Sequence, residues 1–377
     1  MCTAAVAAGI VLAPVPAAAE PAPGTADDRT VAGLLTDLQR LYREAERATE
    51  TYNGTEERLK EQRAEVRRLD AELARARTSL HDSRGAAGRL ARQQYQSSSN
   101  LSPYLRLLLA RDPQHAIDQG HVIGRLARER VDTVGRLTGD EKKAQELSRR
   151  SREALARQAA LAERQEEERD GVRERLRAVE ELLASLTPEQ LAALAELENS
   201  GIAEEQERFL ASGALGDDAK PSAGGESAVR FAVEQLGKPY EWGAEGPASY
   251  DCSGLTSVAW ERAGTPIPRT SQEQWARLDH VPLDELRPGD LVVYFPEATH
   301  VAMYLGDGMV VQAPRPGADV KVSPIAANPV LGAVRPDPDG EPVRRYTPPR
   351  LPAGATDGSD QGYAASYAPA APETSAR

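Results

Sequence analysis

The chain has 377 residues, a formal net charge of −12 and two cysteines. That length leaves room for more than one domain, and the acidic balance argues against nucleic acid, whose phosphates demand a basic face. Only 5% of residues are aromatic against 28% charged, a balance that suits long solvated helices better than one large core.

Residues 1–19 read as an export signal. The apolar run from Ala4 ends in Ala17-Ala18-Ala19 before Glu20, a cleavage pattern of the A-x-A kind. The usual basic n-region is missing, so either translation starts further upstream or the signal is atypical. The alternative is a disordered Ala/Pro leader on a cytosolic protein. Cys2 precedes the apolar run and is not placed for lipid attachment. No other stretch is long and apolar enough to span a bilayer. The expectation is a soluble exported protein.

From Val31 the apolar positions step by three and four through Leu34, Leu38, Leu41, Ala45, Ala48 and Tyr52. After a soft patch at Asn53-Gly54 they continue through Leu59, Val66, Leu69, Leu73, Ala76 and Leu80. A second series runs through Ile123, Val134, Leu137, Ala144, Leu155, Ala162, Val172, Leu176, Val179, Leu183 and Leu186. Both carry the a/d heptad pattern of a coiled coil, with Arg and Glu on the other faces. Two such helices around one break predict an antiparallel hairpin over 29–211 with its tip near 97–110; a parallel homodimer is the alternative. At the tip, Leu101, Leu105, Leu108 and Leu109 either fold back as a cap or form an apolar docking patch for a partner. Thr187-Pro188-Glu189-Gln190 is a capped start for a shorter helix reaching about Leu210. A Gly/Asp/Ser/Pro-rich linker follows over 212–226.

The domain at 227–336 holds all three tryptophans, Trp242, Trp260 and Trp275, and should contain the compact core. With the signal removed, Cys252 is the one cysteine left. A lone thiol in an exported chain is either an intermolecular linker or a reactive nucleophile. Asp251 can cap a helix whose first turn carries Cys252, where the helix dipole favours the thiolate. His300, at the start of an expected strand, could serve as base. The pattern predicts helices from Ser227 to Leu236 and from Asp251 to about Ala263. Strands follow at Asp290 to Phe295, His300 to Leu305 and Met309 to Ala313. The expected class is therefore α+β, with helices packed on an antiparallel sheet in a papain-like manner. His81, His115 and His121 lack metal-ligand spacing, so neither a metal nor a cofactor is expected.

Five ordered motifs carry a resemblance: Gly237-Lys238-Pro239-Tyr240-Glu241-Trp242-Gly243, Asp251-Cys252-Ser253-Gly254-Leu255, Pro268-Arg269-Thr270-Ser271, Pro288-Gly289-Asp290-Leu291, and His300-Val301-Ala302-Met303-Tyr304-Leu305-Gly306. Their order resembles NlpC-type cell-wall endopeptidases over roughly Ala228 to Arg335. The resemblance implies a papain-like fold and hydrolysis of peptidoglycan stem peptides, commonly at the D-isoglutamyl–diamino acid bond. It assigns Cys252 as nucleophile, His300 as base and Gln312 as third member, where the family often has His. A Gln amide oxygen could accept the Nδ1–H of His300 and orient the ring. Tyr240 matches the family tyrosine beside the nucleophile and could help hold the oxyanion. Asp251 and Ser253 could contact the stem peptide. Tyr240 could equally be a core tyrosine, Asp251 only a cap, and Arg269 a structural charge.

Similar actinobacterial division enzymes also carry long helical N-terminal segments, which implies a membrane-protein or divisome partner at the hairpin tip. A secreted, cell-wall-associated peptidase regulated or targeted by its coiled coil is one expectation. A non-catalytic scaffold that only binds stem peptides is the other, and Gln312 is the feature that lends it weight. Residues 337–377, rich in Pro, Gly, Ala, Ser and Thr, are expected to be a disordered tail.

Overall fold

Two long helices, α1 (Val31–Ser97) and α2 (Pro113–Ala184), lie side by side in the computed structural model, which describes residues 30–97, 113–216 and 219–357. They run antiparallel: Tyr42 packs with Val179, Gln62 donates to the Ala154 carbonyl at 3.0 Å, and Ser151 donates to Asp70 at 2.7 Å. Within the chain the two helices pair with each other. The buried seam follows Leu34, Leu38, Leu59, Val66, Leu69 and Leu73 on α1, and Ala144, Leu147, Ala154, Val172 and Val179 on α2. Val134 and Leu155, expected on that seam, are exposed. Leu147, Ser151 and Ala154 turn toward α1 instead, and the smaller residues let the helices approach closely. The tip leucines Leu101, Leu105, Leu108 and Leu109 lie outside the described residues, as do 1–19.

Helix α3 (Pro188–Ala211) starts at the expected capping box. Gln190 N–H donates to Thr187 at 3.2 Å, and the Thr187 N–H to the Gln190 side chain at 2.9 Å. Its Leu194 packs on Leu34 and Leu186, while Phe209 packs against the sheet of the second half. The chain then enters α4 (Ala223–Glu234) four residues earlier than the sequence predicts. Ser222 caps that helix through the Gly225 N–H at 2.8 Å, which shortens the expected linker. Gly225 is needed there: a Cβ would meet the Pro288 carbonyl oxygen at 2.7 Å.

Helix α5 (Cys252–Arg262) and short α6 (Ser271–Arg277) follow. The sheet is built from β1 (Asp279–Val281), β2 (Leu291–Tyr294), β3 (His300–Gly306), β4 (Met309–Gln312), β5 (Lys321–Pro324) and β6 (Val330–Arg335). Its order is β1-β6-β2-β3-β4-β5 and every pairing is antiparallel. Helices α4 and α5 cover one face, with Trp260 and Leu255 packed on Leu291, Val293, Val301 and Met303. The α+β class and the three expected strands hold. β1, β5 and β6 complete the sheet.

Beyond the domain, where the sequence predicts a disordered tail from 337, the described residues to 357 are mostly exposed but are tied back to the domain at several polar points. Arg287 donates to the Asp337 carbonyl and carboxylate and to the Gly340 carbonyl at 2.8–2.9 Å, and Ser222 hydrogen-bonds Asp337. Val322 N–H donates to the Ala355 carbonyl at 2.8 Å. Low apolar content does not prevent a segment from using the domain's own unpaired polar groups.

Candidate active site

Asp251 caps α5 by accepting from the Gly254 N–H at 2.6 Å, and this places Cys252 in the first turn, buried, with its sulfur toward the Val301 N–H on β3. β3 begins at His300, so pairing of α5 with the sheet brings base and nucleophile to one cleft. His300 Nε2 lies 2.7 Å from the Gln312 amide oxygen. The Gln312 amide nitrogen donates to Ser323 Oγ at 2.7 Å, which fixes the amide so that its oxygen faces the ring. A carbonyl acceptor keeps the proton on Nε2 and leaves Nδ1 as the free acceptor, the state a general base requires. The orienting bond is thus made through Nε2, correcting the expectation of Nδ1. Two strands joined by the Gly306-Asp307-Gly308 turn carry these residues, and Ser323 lies diagonally across β4–β5 from Gln312. No motif marks Ser323 in the sequence.

Tyr240 is buried beside the nucleophile; burial and then the Cys252 sulfur push its phenol well up. Arg269 is the internal charge expected of it, donating to Asp251 at 3.0 and 2.7 Å, to Ser253 at 2.8 Å and to Glu245 at 2.9 Å. His280 is exposed and faces the Trp275 carbonyl at 2.9 Å. All six expected site residues, Tyr240, Asp251, Cys252, Ser253, His300 and Gln312, therefore share one region.

The cleft is not empty, and its occupant comes from α1. Glu50 accepts from Ser253 Oγ at 2.8 Å and from the Ser271 N–H at 2.7 Å, with Cys252 Sγ 3.8 Å away. One turn earlier, Glu46 lies 3.8 Å from His300 Nδ1, and one turn later Asn53 donates to Asp251 at 3.0 Å. Outer contacts frame this line. Tyr52 meets Trp242 edge-on at 5.1 Å, Arg315 covers the Tyr42 ring at 4.6 Å, and Arg47 pairs with Glu297 at 2.8 Å. Sequence reasoning missed Glu46, Glu50 and Asn53. The one signal was the break in the heptad at Asn53-Gly54, where polar residues are buried without a hairpin partner.

The occupant changes the electrostatics. Burial, then Glu50, Asp251 and Glu46, push the Cys252 thiol well up. Burial holds His300 down at about 4, against the raising effect of the Gln312 bond. With α1 seated the pair is a neutral thiol and a neutral imidazole. The thiolate expected from the helix dipole is overruled first by burial and then by the carboxyl groups nearby. Among the described residues no His/Cys/Asp/Glu cluster could hold a metal.

Comparison with known families matches residues 237–332 to the NlpC/P60 family. Those residues form an NlpC/P60 domain. A probable endopeptidase of Corynebacterium glutamicum is 47% identical over 96 residues, 25% of this chain and 46% of that protein. A probable endopeptidase of Mycobacterium tuberculosis is 37% identical over 116 residues, 30% of each chain. The alignment thus spans less than half the length of either relative. Among solved structures, RipD of M. tuberculosis, described as a non-catalytic NlpC/p60 protein adapted to peptidoglycan binding, is 31% identical. That alignment covers 30% of this chain and 96% of that one, with a TM-score of 0.28. The NlpC/P60 match begins at Gly237 and ends at Gly332, so α1, which fills the domain's cleft, lies outside it.

Proposed function

We propose that this chain is an exported cysteine endopeptidase of the bacterial cell wall that cuts peptidoglycan stem peptides at the D-isoglutamyl–diamino acid bond, held closed by its own helix α1. The observation that carries the chemistry is the His300–Gln312–Ser323 relay behind Cys252, with Nδ1 left open toward the cleft. When α1 leaves, Nδ1 takes the thiol proton and the thiolate attacks the amide carbonyl carbon of the stem peptide. The Cys252 N–H and the Tyr240 hydroxyl hold the oxyanion, and His300 returns the proton to the leaving amine. Water then cleaves the thioester by the same base. Asp251 and Ser253, freed from Asn53 and Glu50, are available to the substrate. The names of the curated relatives support a hydrolase.

The test is mass spectrometry of defined muropeptides incubated with the full chain and with Glu50→Ala. New products ending at the D-isoglutamyl residue support the assignment. Binding of muropeptides with no cleavage by either protein would instead make this a peptidoglycan-binding scaffold.

A further inference from the structure

The two glutamates in the cleft are in an environment that suits neither as an anion. They stand four residues apart on one face of α1, 6% and 2% exposed. Glu46 faces Arg43 and Glu50 on its own helix, His300 on β3 and Arg315 after β4. Its Oε2 is buried without a hydrogen-bond partner. Glu50 faces Asp251 and Cys252 on the α5 side, the Tyr240 phenol, and Arg269 before α6. Arg269 is already committed to Asp251 through two bonds, and among the described residues neither glutamate has a lysine or arginine within ion-pair distance. A buried carboxylate without a paired cation is disfavoured over the neutral acid.

We infer that Glu46 and Glu50 make closure of the cleft depend on protons: α1 stays seated while both carboxyls are protonated, and losing those protons drives it out. This rests on the closed-cleft reading above and adds what opens it. Burial, followed by Asp251, pushes Glu50 from 4.5 up to about 7. Burial likewise pushes Glu46 from 4.5 up to about 7, with Arg315 opposing and Glu50 adding. Released into water, both carboxyls return to ordinary values, so the seated form binds these protons more tightly. The contribution to closure is fully present below pH 4.5 and is lost as pH rises through about 7. Each group alone could shift the equilibrium on the order of a hundredfold. The Arg47–Glu297 and Lys60–Glu245 pairs, at 2.8 and 3.4 Å, are solvent-exposed and contribute little to closure.

The test uses the full chain and the rate of Cys252 alkylation by iodoacetamide from pH 5 to 9, in wild type and in the neutral variant Glu46→Gln/Glu50→Gln. Dividing the two rates largely cancels the thiol's own ionisation. The ratio should climb at least about tenfold between pH 5 and 8; a flat ratio overturns the inference. A second measurement needs no variant. Exchange of the Ser271 amide hydrogen, held by Glu50, is compared with that of Gly254, held by Asp251. Their ratio cancels base catalysis and should also rise with pH, and a constant ratio overturns the proposal even if the double variant misfolds. Muropeptide digestion on the same samples keeps the two readings apart. A rising ratio with no cleavage refutes the peptidase and leaves the gate, and cleavage with a flat ratio does the reverse.

Discussion

Glu50 and Ser253 are 203 residues apart in sequence and share a 2.8 Å hydrogen bond one residue beyond the candidate nucleophile. Because Glu50 also holds the Ser271 N–H, removing its carboxylate breaks two of the seat's polar contacts at once. Glu50→Ala should therefore raise stem-peptide turnover by the full chain by about tenfold, since each of the two bonds contributes roughly 0.5–1.5 kcal/mol. Arg47→Ala, which removes only an exposed pair with Glu297, should change the rate less than about fivefold. Equal rates for wild type and Glu50→Ala on a soluble muropeptide would mean that α1 does not restrain the cleft.

Cys252→Ala and Cys252→Ser should abolish cleavage without unfolding the domain, because each changes a single atom of a large core cluster at the start of a helix capped by Asp251. His300→Ala should be nearly as severe, with a loss on the order of a thousandfold or more, since thiol and imidazole act as one unit. These variants are best made on the Glu50→Ala background. Turnover by Cys252→Ala would sink the nucleophile assignment.

Gln312 supplies orientation and no proton. Gln312→Ala should lower kcat by roughly ten- to a hundredfold, by the general scale of base catalysis, while leaving measurable activity and a KM close to wild type. Ser323→Ala should cost less, because it only fixes the amide that fixes the ring. Rescue by Gln312→Asn or Gln312→His would identify a positioning residue. Two silent variants would remove Gln312 from the machinery.

Arg269 and Asp251 form a buried pair at 2.7 Å, 8% and 0% exposed. Arg269→Met leaves Asp251 charged and short of its cation, which should destabilise the domain by about 3–5 kcal/mol. Thermal unfolding of the variant at pH 7 should show a clear fall in Tm. A Tm unchanged at pH 7 would show that Asp251 is satisfied by its Gly243 and Gly254 N–H bonds alone.

Much of the architecture was legible in residue patterns. The two heptad series announced the hairpin, Thr187 to Gln190 announced the start of α3, and apolar runs set between turn residues announced β2, β3 and β4. β1, β5 and β6 were not legible. β1 has only three residues, and Pro324 in β5 and Gly332 in β6 weaken the usual signal. The face of α2 was misjudged at Val134 and Leu155 because small residues, at Ser151 and Ala154, line the seam and carry little hydrophobic weight.

The sequence by itself determined that a capped cysteine, a strand-borne histidine and a polar third residue lie in order along one domain. Those relations are local: Asp251 caps its neighbour, and His300 and Gln312 flank a single tight hairpin. Only the tertiary structure decided what lies against them. A polar residue on a long helix reads as solvated, because its own neighbours along the chain give no sign of a second surface. Glu46, Glu50 and Asn53 become buried only when α1 is laid across a cleft some 200 residues away, and Ser323 reaches Gln312 only through the β4–β5 register. The state of the nucleophile follows from that placement. The helix dipole alone favours a thiolate, and burial in the occupied cleft, more than the charges around it, holds Cys252 as a thiol.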